Sequence, residues 1–441
     1  MSGPGIHLAA PTVLLLFLLG LPAFAFRSQT SYFFGSSVRN CDTVHTRQQR
    51  NTDALLCMKI KVGIIGLPNI GKSTLFNALA QKSIAQAENF PFCTIEPNIA
   101  QIVVPDEYLE RLGTFSNSDK TMPATMEFID VAGLVAGASR GEGLGNRFLA
   151  TIRECDAICH LVRYFEDPDI VHIDGRVDPA QDAEVVNLEL ILADIAHIER
   201  RLEKTTCQGE ERDALEKLLL GLQKGIPGRA VGLSADEKLV MKSMGLLTLK
   251  PVIYVFNVDE VDFLLDQASI AEKVEGVVSN IRYCDSTMDM HAVISAKLEV
   301  EISSMADLNE QQEYLKSVGV EFSPDDDNSF LAQIMSYSVL PKQVRELLDL
   351  ILVYTGPGVP PERSRTTKAY LYSRAQALTT IKLAERLHGE ILRGFIRAEV
   401  VPGATLLLHE SYNAAKDAGV IRVEGKDAIL EDGDVVLIKW K

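Results

Sequence analysis

The sequence predicts an α/β fold: a doubly wound, mainly parallel sheet, interrupted by a helical hairpin and followed by a smaller α+β unit. Three observations predict it. Short, continuously apolar runs alternate with helical stretches from Met58 onward, the pattern of strands buried on both faces. Between about 180 and 245 the apolar period becomes helical. A Gly, Pro and charge-rich stretch, YTGPGVPPERSRTT at 354–367, then precedes short alternating segments ending in VEGKDAILEDGDVVLIKW.

The elements follow in chain order. MKIKVGIIG reads as the first buried strand and Lys72 to Ala80 as the helix behind it. Further strands are expected at Ile102 to Val104, Met126 to Val131, Ala157 to Val162, Pro251 to Phe256 and His291 to Ile294. Leu188, Ile191, Leu192, Ile195, Ile198 and Leu202 recur at helical spacing, and Leu215, Leu218, Leu219 and Leu222 do so after a polar turn. This predicts an antiparallel hairpin over 180–245, with a shorter helix started by a capping box at Ser234 and Glu237. The core domain is then 58–179 with 246–353, and the terminal unit 354–441.

Residues 1–57 read as an address. TVLLLFLLGLPAFAF holds an apolar run too short to span a membrane and ends in the cleavage pattern Ala23, Phe24, Ala25. Arg27 to Thr52 is rich in Ser, Thr and Arg, with Asp42 the lone acid. A signal followed by a transit segment resembles the two-part presequences of algae with secondary plastids, so a plastid location is expected. A true start at Met58 would make the chain cytoplasmic.

The composition, 46% hydrophobic and 24% charged, excludes a membrane bundle, and no stable membrane association of the mature chain is expected. A net charge of −16 argues against coating nucleic acid by bulk electrostatics. Seven cysteines without a CxxC indicate neither a disulfide framework nor a zinc site. Cys155 and Cys159, beside His160, read as buried thiols.

GLPNIGKS at 66–73 matches GxxxxGK[ST] and lies between a strand and a helix. Backbone amides over Asn69, Ile70, Gly71, Lys72, Ser73 and Thr74 can cradle phosphates, Lys72 can reach the terminal phosphates, and the Ser73 hydroxyl can hold Mg²⁺. IDVAG places Asp130 where a carboxylate supports Mg²⁺ through water, and Gly133 where an amide can turn toward a γ-phosphate. Thr94, in NFPFCTIEPN, is the one hydroxyl of a loop able to close over that metal. The run AGLVAGASRGEGLGNRF has the composition of a nucleotide-sensing switch.

GLPNIGKSTLFNAL, NFPFCTIEPN, MEFIDVAGLVAGASRGEGLGNRFL and GFIRAEV together resemble the Obg-like ATPase, or YchF, family of P-loop NTPases, over nearly everything from Met58 to Lys441. The resemblance implies a P-loop G domain, a coiled-coil insertion and a C-terminal, β-grasp-like TGS domain. It also implies an ATPase associated with the ribosome, its large-subunit RNA and proteins. GTP-binding relatives end the strand at 251–256 with NKxD, whose Asp reads guanine. Here Asn257, Val258, Asp259 and Glu260 give NxxE, so the resemblance implies ATP, with Asn257 and the Val258 backbone near the base and Glu260 in place of the guanine-reading acid. Asp259 lies one position early, and Ser295 to Lys297 keep the SAK loop of GTPases, so a GTPase of the same fold stays open. So does a nucleotide-dependent binding protein with negligible turnover. Ras-like proteins orient water with Gln after DxxG; here that residue is Leu134, and the resemblance moves the role to His172 in DIVHI. Asn69 matches an asparagine that helps bind K⁺ in related NTPases. Between Glu362 and Glu399, eight basic residues (363, 365, 368, 374, 382, 386, 393, 397) face four acids, a local +4 suited to RNA phosphates.

Overall fold

The computed structural model describes residues 59–89, 98–131, 144–170, 175–265, 267–284, 289–305, 308–318, 334–356 and 366–441. The presequence, Thr94, Gly133, Leu134 and His172 lie outside them.

The first sheet runs β2-β4-β1-β5-β6-β7, formed by β1 (Ile60–Ile65), β2 (Ile99–Val103), β4 (Thr125–Asp130), β5 (Ala157–Arg163), β6 (Val252–Asn257) and β7 (Asp289–Ile294). All neighbours are parallel except β2, which pairs antiparallel with β4. Every residue of β5 and β6 is buried, because helices cover both faces of these central strands. The helix after β1 runs Lys72–Asn89, nine residues beyond the expected Ala80, and buries Leu75, Phe76 and Leu79. QKSIAQAEN, its extension, is mostly good helix formers with no breaker before Pro91. Strand β2 begins three residues before the expected Ile102, since its extent is set by pairing with β4 from Ile99↔Ile129 to Val103↔Thr125.

The insertion comprises helices Pro179–Leu202 and Glu210–Gln223, with a further short helix Ala235–Met241. Asp178 caps the first, accepting from Gln181 N at 3.1 Å, and Pro179 sits in its first turn, where a missing N–H costs nothing. Ser234 and Glu237 close the expected capping box at 3.1 and 2.6 Å. Ile191, Ile198, Leu215, Leu218, Leu222, Met241 and Leu246 form a core of their own. Leu188, read as part of that stripe, is instead 51% exposed. The first helix starts on the sheet, where Ala183, Val186 and Leu190 join the main core, so its buried face rotates along its length and Leu188 falls outside both contacts.

Two buried polar clusters anchor the insertion. Asp194 accepts from Leu247 N, Thr248 N and Thr248 Oγ1 at 2.8–3.1 Å and pairs with Arg153 at 3.2 Å. Arg229 pairs with Asp289 on β7 at 2.8 Å and donates to Tyr254 Oη on β6 at 2.9 Å.

The second sheet runs β11-β10-β12-β8-β9-β3, with β3 (Lys120–Met122), β8 (Leu350–Thr355), β9 (Thr366–Ser373), β10 (Phe395–Pro402), β11 (Arg422–Glu424) and β12 (Asp434–Trp440). The boundary expected at 354 therefore falls inside β8. LILVYT pairs with β9 and β12, so the terminal unit begins at Leu350, before the Gly and Pro cluster rather than at it. Strand β3 comes from the segment joining β2 to β4 and pairs in parallel with β9, so a segment that leaves the first sheet forms the edge strand of the second. Tyr354 Oη donates to Asp106 Oδ1 at 2.8 Å and Ser118 Oγ lies 2.7 Å from Thr367 Oγ1 across the same junction.

Cys155 and Cys159 are buried thiols; desolvation pushes them up to about 11 and about 12. None of the described helices is long and apolar enough to cross a membrane.

Candidate nucleotide site

Strand β1 delivers the chain into the phosphate loop at Gly66. A side chain there would meet Leu161 O at 2.5 Å, so only glycine passes between the loop and β5. Asn69 (φ 61°) and Gly71 (φ 92°) take left-handed backbone, which turns successive amides inward before the helix begins at Lys72. A Cβ on Gly71 would lie 2.5 Å from Asn257 Nδ2. Ile70 is buried, Asn69 and Ser73 are exposed at the loop surface, and Thr74 is half-buried.

Lys72 is 8% exposed and donates to Leu67 O at 2.5 Å. Burial lowers its pKa to about 8, against the opposing pull of Asp130. Asp130 ends β4 beside the loop, in register with Ile64 of β1. Desolvation raises its pKa and Lys72 lowers it. An ammonium, a hydroxyl and a carboxylate are thus collected at one helix N-terminus, and the two oxygen donors suit a hard cation such as Mg²⁺.

The other rim lies at the ends of β6 and β7. Asn257 is 4% exposed; its Nδ2 donates to Ile70 O at 3.0 Å and its Oδ1 accepts from Ala296 N at 2.9 Å. The side chain therefore staples the phosphate loop to the loop that starts the helix Ala296–Ser304. Val258, buried, donates its N–H to Ile294 O at 2.9 Å. Asp259 Oδ1 accepts from Val261 N at 3.0 Å, and Glu260 Oε1 pairs with Lys297 at 2.7 Å. Glu260 Oε2 and Ser295 Oγ are buried, with no hydrogen-bond partner among the described residues. Buried acceptors without partners are exceptions that point to a ligand or water.

The structure thus brings together the phosphate loop, Lys72, Ser73, Asp130, Asn257, Val258, Glu260 and Ser295. Sequence reasoning missed Lys297 as the partner of Glu260, which no spacing rule signals. It also missed Arg163, a buried cation at the end of a strand whose only other polar side chain is His160.

Residues 61–209 match the family model described as 50S ribosome-binding GTPase, and residues 366–441 match the C-terminal model of YchF GTPases, described as a protein of unknown function. The chain is 41% identical over 395 residues to the ribosome-binding ATPase YchF of Haemophilus ducreyi, covering 87% of this chain and 99% of that relative. It belongs to the YchF family. The Bacillus subtilis YchF is 38% identical over 391 residues, covering 87% of this chain and all of that relative. The solved structure of the Schizosaccharomyces pombe YchF GTPase superposes with a TM-score of 0.69 at 29% identity, covering 86% of this chain and 98% of that one. Within this YchF chain the first model spans the strands that build the phosphate loop and the first helix of the insertion, and the second spans β9 to β12.

Proposed function

We propose that the chain binds and hydrolyses ATP, switches conformation with nucleotide state, and acts on ribosomes. The observation that supports the base preference is that one oxygen of each acid after β6 is already engaged. Guanine is read by a carboxylate free to accept two protons, whereas Asp259 Oδ1 accepts from Val261 N and Glu260 Oε1 pairs with Lys297, leaving Glu260 Oε2 as a single buried acceptor. Asn257 and the buried Val258 backbone then contact adenine. Lys72 neutralises the terminal phosphates, Ser73 and Thr94 hold Mg²⁺ with Asp130 acting through water, Gly133 offers its amide to the γ-phosphate, and His172 orients the attacking water. K⁺ at Asn69 assists. Ribosome action is supported by the names of the Haemophilus ducreyi and Bacillus subtilis relatives, both called ribosome-binding ATPases, and by the basic residues of the terminal unit. Residues 1–57 direct the chain to a plastid of a secondary-plastid alga.

The GTPase reading draws on the SAK loop at Ser295 to Lys297, whose Ala296 N meets Asn257 Oδ1 at the end of β6, and on the names of the matched family model and of the Schizosaccharomyces pombe structure. Titration of the chain from Met58 with fluorescent ATP and GTP analogues, with Mg²⁺ and K⁺ present, separates the two. Tighter ATP binding is expected; tighter GTP binding would make the protein a GTPase switch.

A further inference from the structure

Two loops meet at the ends of β6 and β7, and two contacts hold them together. Ala296 N donates to Asn257 Oδ1 at 2.9 Å, and beyond it Lys297 Nζ donates to Glu260 Oε1 at 2.7 Å. Three carboxylates act on that ammonium. The hydrogen bond to Glu260, and then the charges of Glu260, Glu301 and Asp259, hold its pKa above the ordinary lysine value, so it stays charged through neutral pH. Glu301 accepts from the Tyr314 hydroxyl and Asp259 Oδ1 from Val261 N. Glu260 Oε1 is the oxygen that Lys297 takes.

The other oxygen of that carboxylate is left over. Glu260 Oε2 is buried without a hydrogen-bond partner among the described residues, and on the facing loop so is the hydroxyl of Ser295, a residue 1% exposed. Buried polar atoms in this state mark a place where a ligand or water completes the set. The two loops therefore present one free carboxylate acceptor and one free hydroxyl.

Purines differ in what they ask of such a pair. Guanine offers two adjacent N–H donors, which a carboxylate takes with both oxygens at once. Adenine offers one amine and, beside it, a ring nitrogen that accepts. A carboxylate with one oxygen already held matches the amine, and a hydroxyl can donate to the ring nitrogen. We infer that Lys297 is a specificity-determining residue of the nucleotide site: by holding Glu260 Oε1 it leaves a single carboxylate acceptor and so favours a 6-aminopurine over guanine. It acts through Glu260. The inference rests on the nucleotide-binding reading above, with the base at this rim.

The test uses the full chain, with Kd measured for fluorescent ATP and GTP analogues in the presence of Mg²⁺. The Lys297 side chain is 64% exposed, and an ion pair so open adds little stability, so Lys297→Met should fold. The variant frees Oε1, and the ratio of GTP to ATP affinity should rise at least about threefold, the scale of one such pair. The ratio is the readout because a lost positive charge weakens both triphosphates alike. Lys297→Arg, which can keep the pair, should keep the wild-type ratio. Glu260→Gln presents one carbonyl acceptor whatever its neighbour, so adding Lys297→Met to it should move the ratio no further. A ratio unchanged in Lys297→Met would overturn the proposal, and so would one that rises equally in the Glu260→Gln background. A wild type that prefers GTP sinks the ATP reading alone; the role of Lys297 is read from the shift, and the same shift in that protein would still support it. A wild type that binds neither nucleotide would overturn both.

Discussion

At the scale of single residues the site depends on groups that burial has moved from their ordinary chemistry. The free-protein pKa of Lys72, about 8, sits close to physiological pH, while a bound polyphosphate favours its charged form. Binding therefore takes up a proton once pH exceeds the free-protein value. Apparent nucleotide affinity is expected to be flat from pH 6.5 to 7.5 and to fall up to about tenfold per unit above 8, measured by titration across that range. Lys72→Met should remove this slope along with most of the binding; a slope that survives would assign the titration elsewhere. Asn257 is the second such residue. Asn257→Ala leaves Ile70 O and Ala296 N without their buried partner, at a cost of about 2–6 kcal/mol for two such groups, and should lower the urea midpoint as well as nucleotide affinity. Gly71→Ala adds left-handed strain and a Cβ against Asn257 Nδ2 in the same few ångströms. Its loss of nucleotide binding should exceed its loss of stability.

At the scale of elements, buried ion pairs join apolar packing where the insertion meets the sheet. Arg229 and Asp289 are an ion pair with both side chains at most 2% exposed. Breaking a buried pair by removing one partner leaves an uncompensated charge, so Asp289→Ala is expected to destabilise by about 3–5 kcal/mol. Asp289→Ala combined with Arg229→Met, which removes both charges, should recover much of that loss in denaturant unfolding. If the double variant is no more stable than the single one, the cost belongs to packing and not to the orphaned guanidinium. The helical periodicity of 188–202 announced the hairpin but misassigned Leu188, because one helix serves two cores and periodicity alone assumes one.

At the scale of the molecule, the two sheets meet through the segment between β2 and β4, whose strand β3 pairs with β9 and whose Asp106 accepts from Tyr354. Asp106 also accepts from Tyr108 N at 2.8 Å, so Asp106→Ala should cost about 1–3 kcal/mol at this junction. Trp440, the one tryptophan, lies in β12 and reports on the C-terminal sheet. Its fluorescence transition should separate from the far-UV circular dichroism transition in the variant and coincide with it in the wild type.

The sequence by itself determined the local pieces: the phosphate loop between a strand and a helix, the largely apolar runs of β5 and β6, the capping box at Ser234, and the acids after β6. Each of these is written in residue type and spacing over fewer than about twenty positions. Only the tertiary structure decided that Leu350 begins the terminal sheet, that β3 crosses to it, that Lys297 engages Glu260, and that Arg163 meets three carbonyls. These depend on which distant segments come within hydrogen-bonding reach. A hydrogen bond or ion pair is a property of positions in space, and no period or motif along the chain encodes its partner.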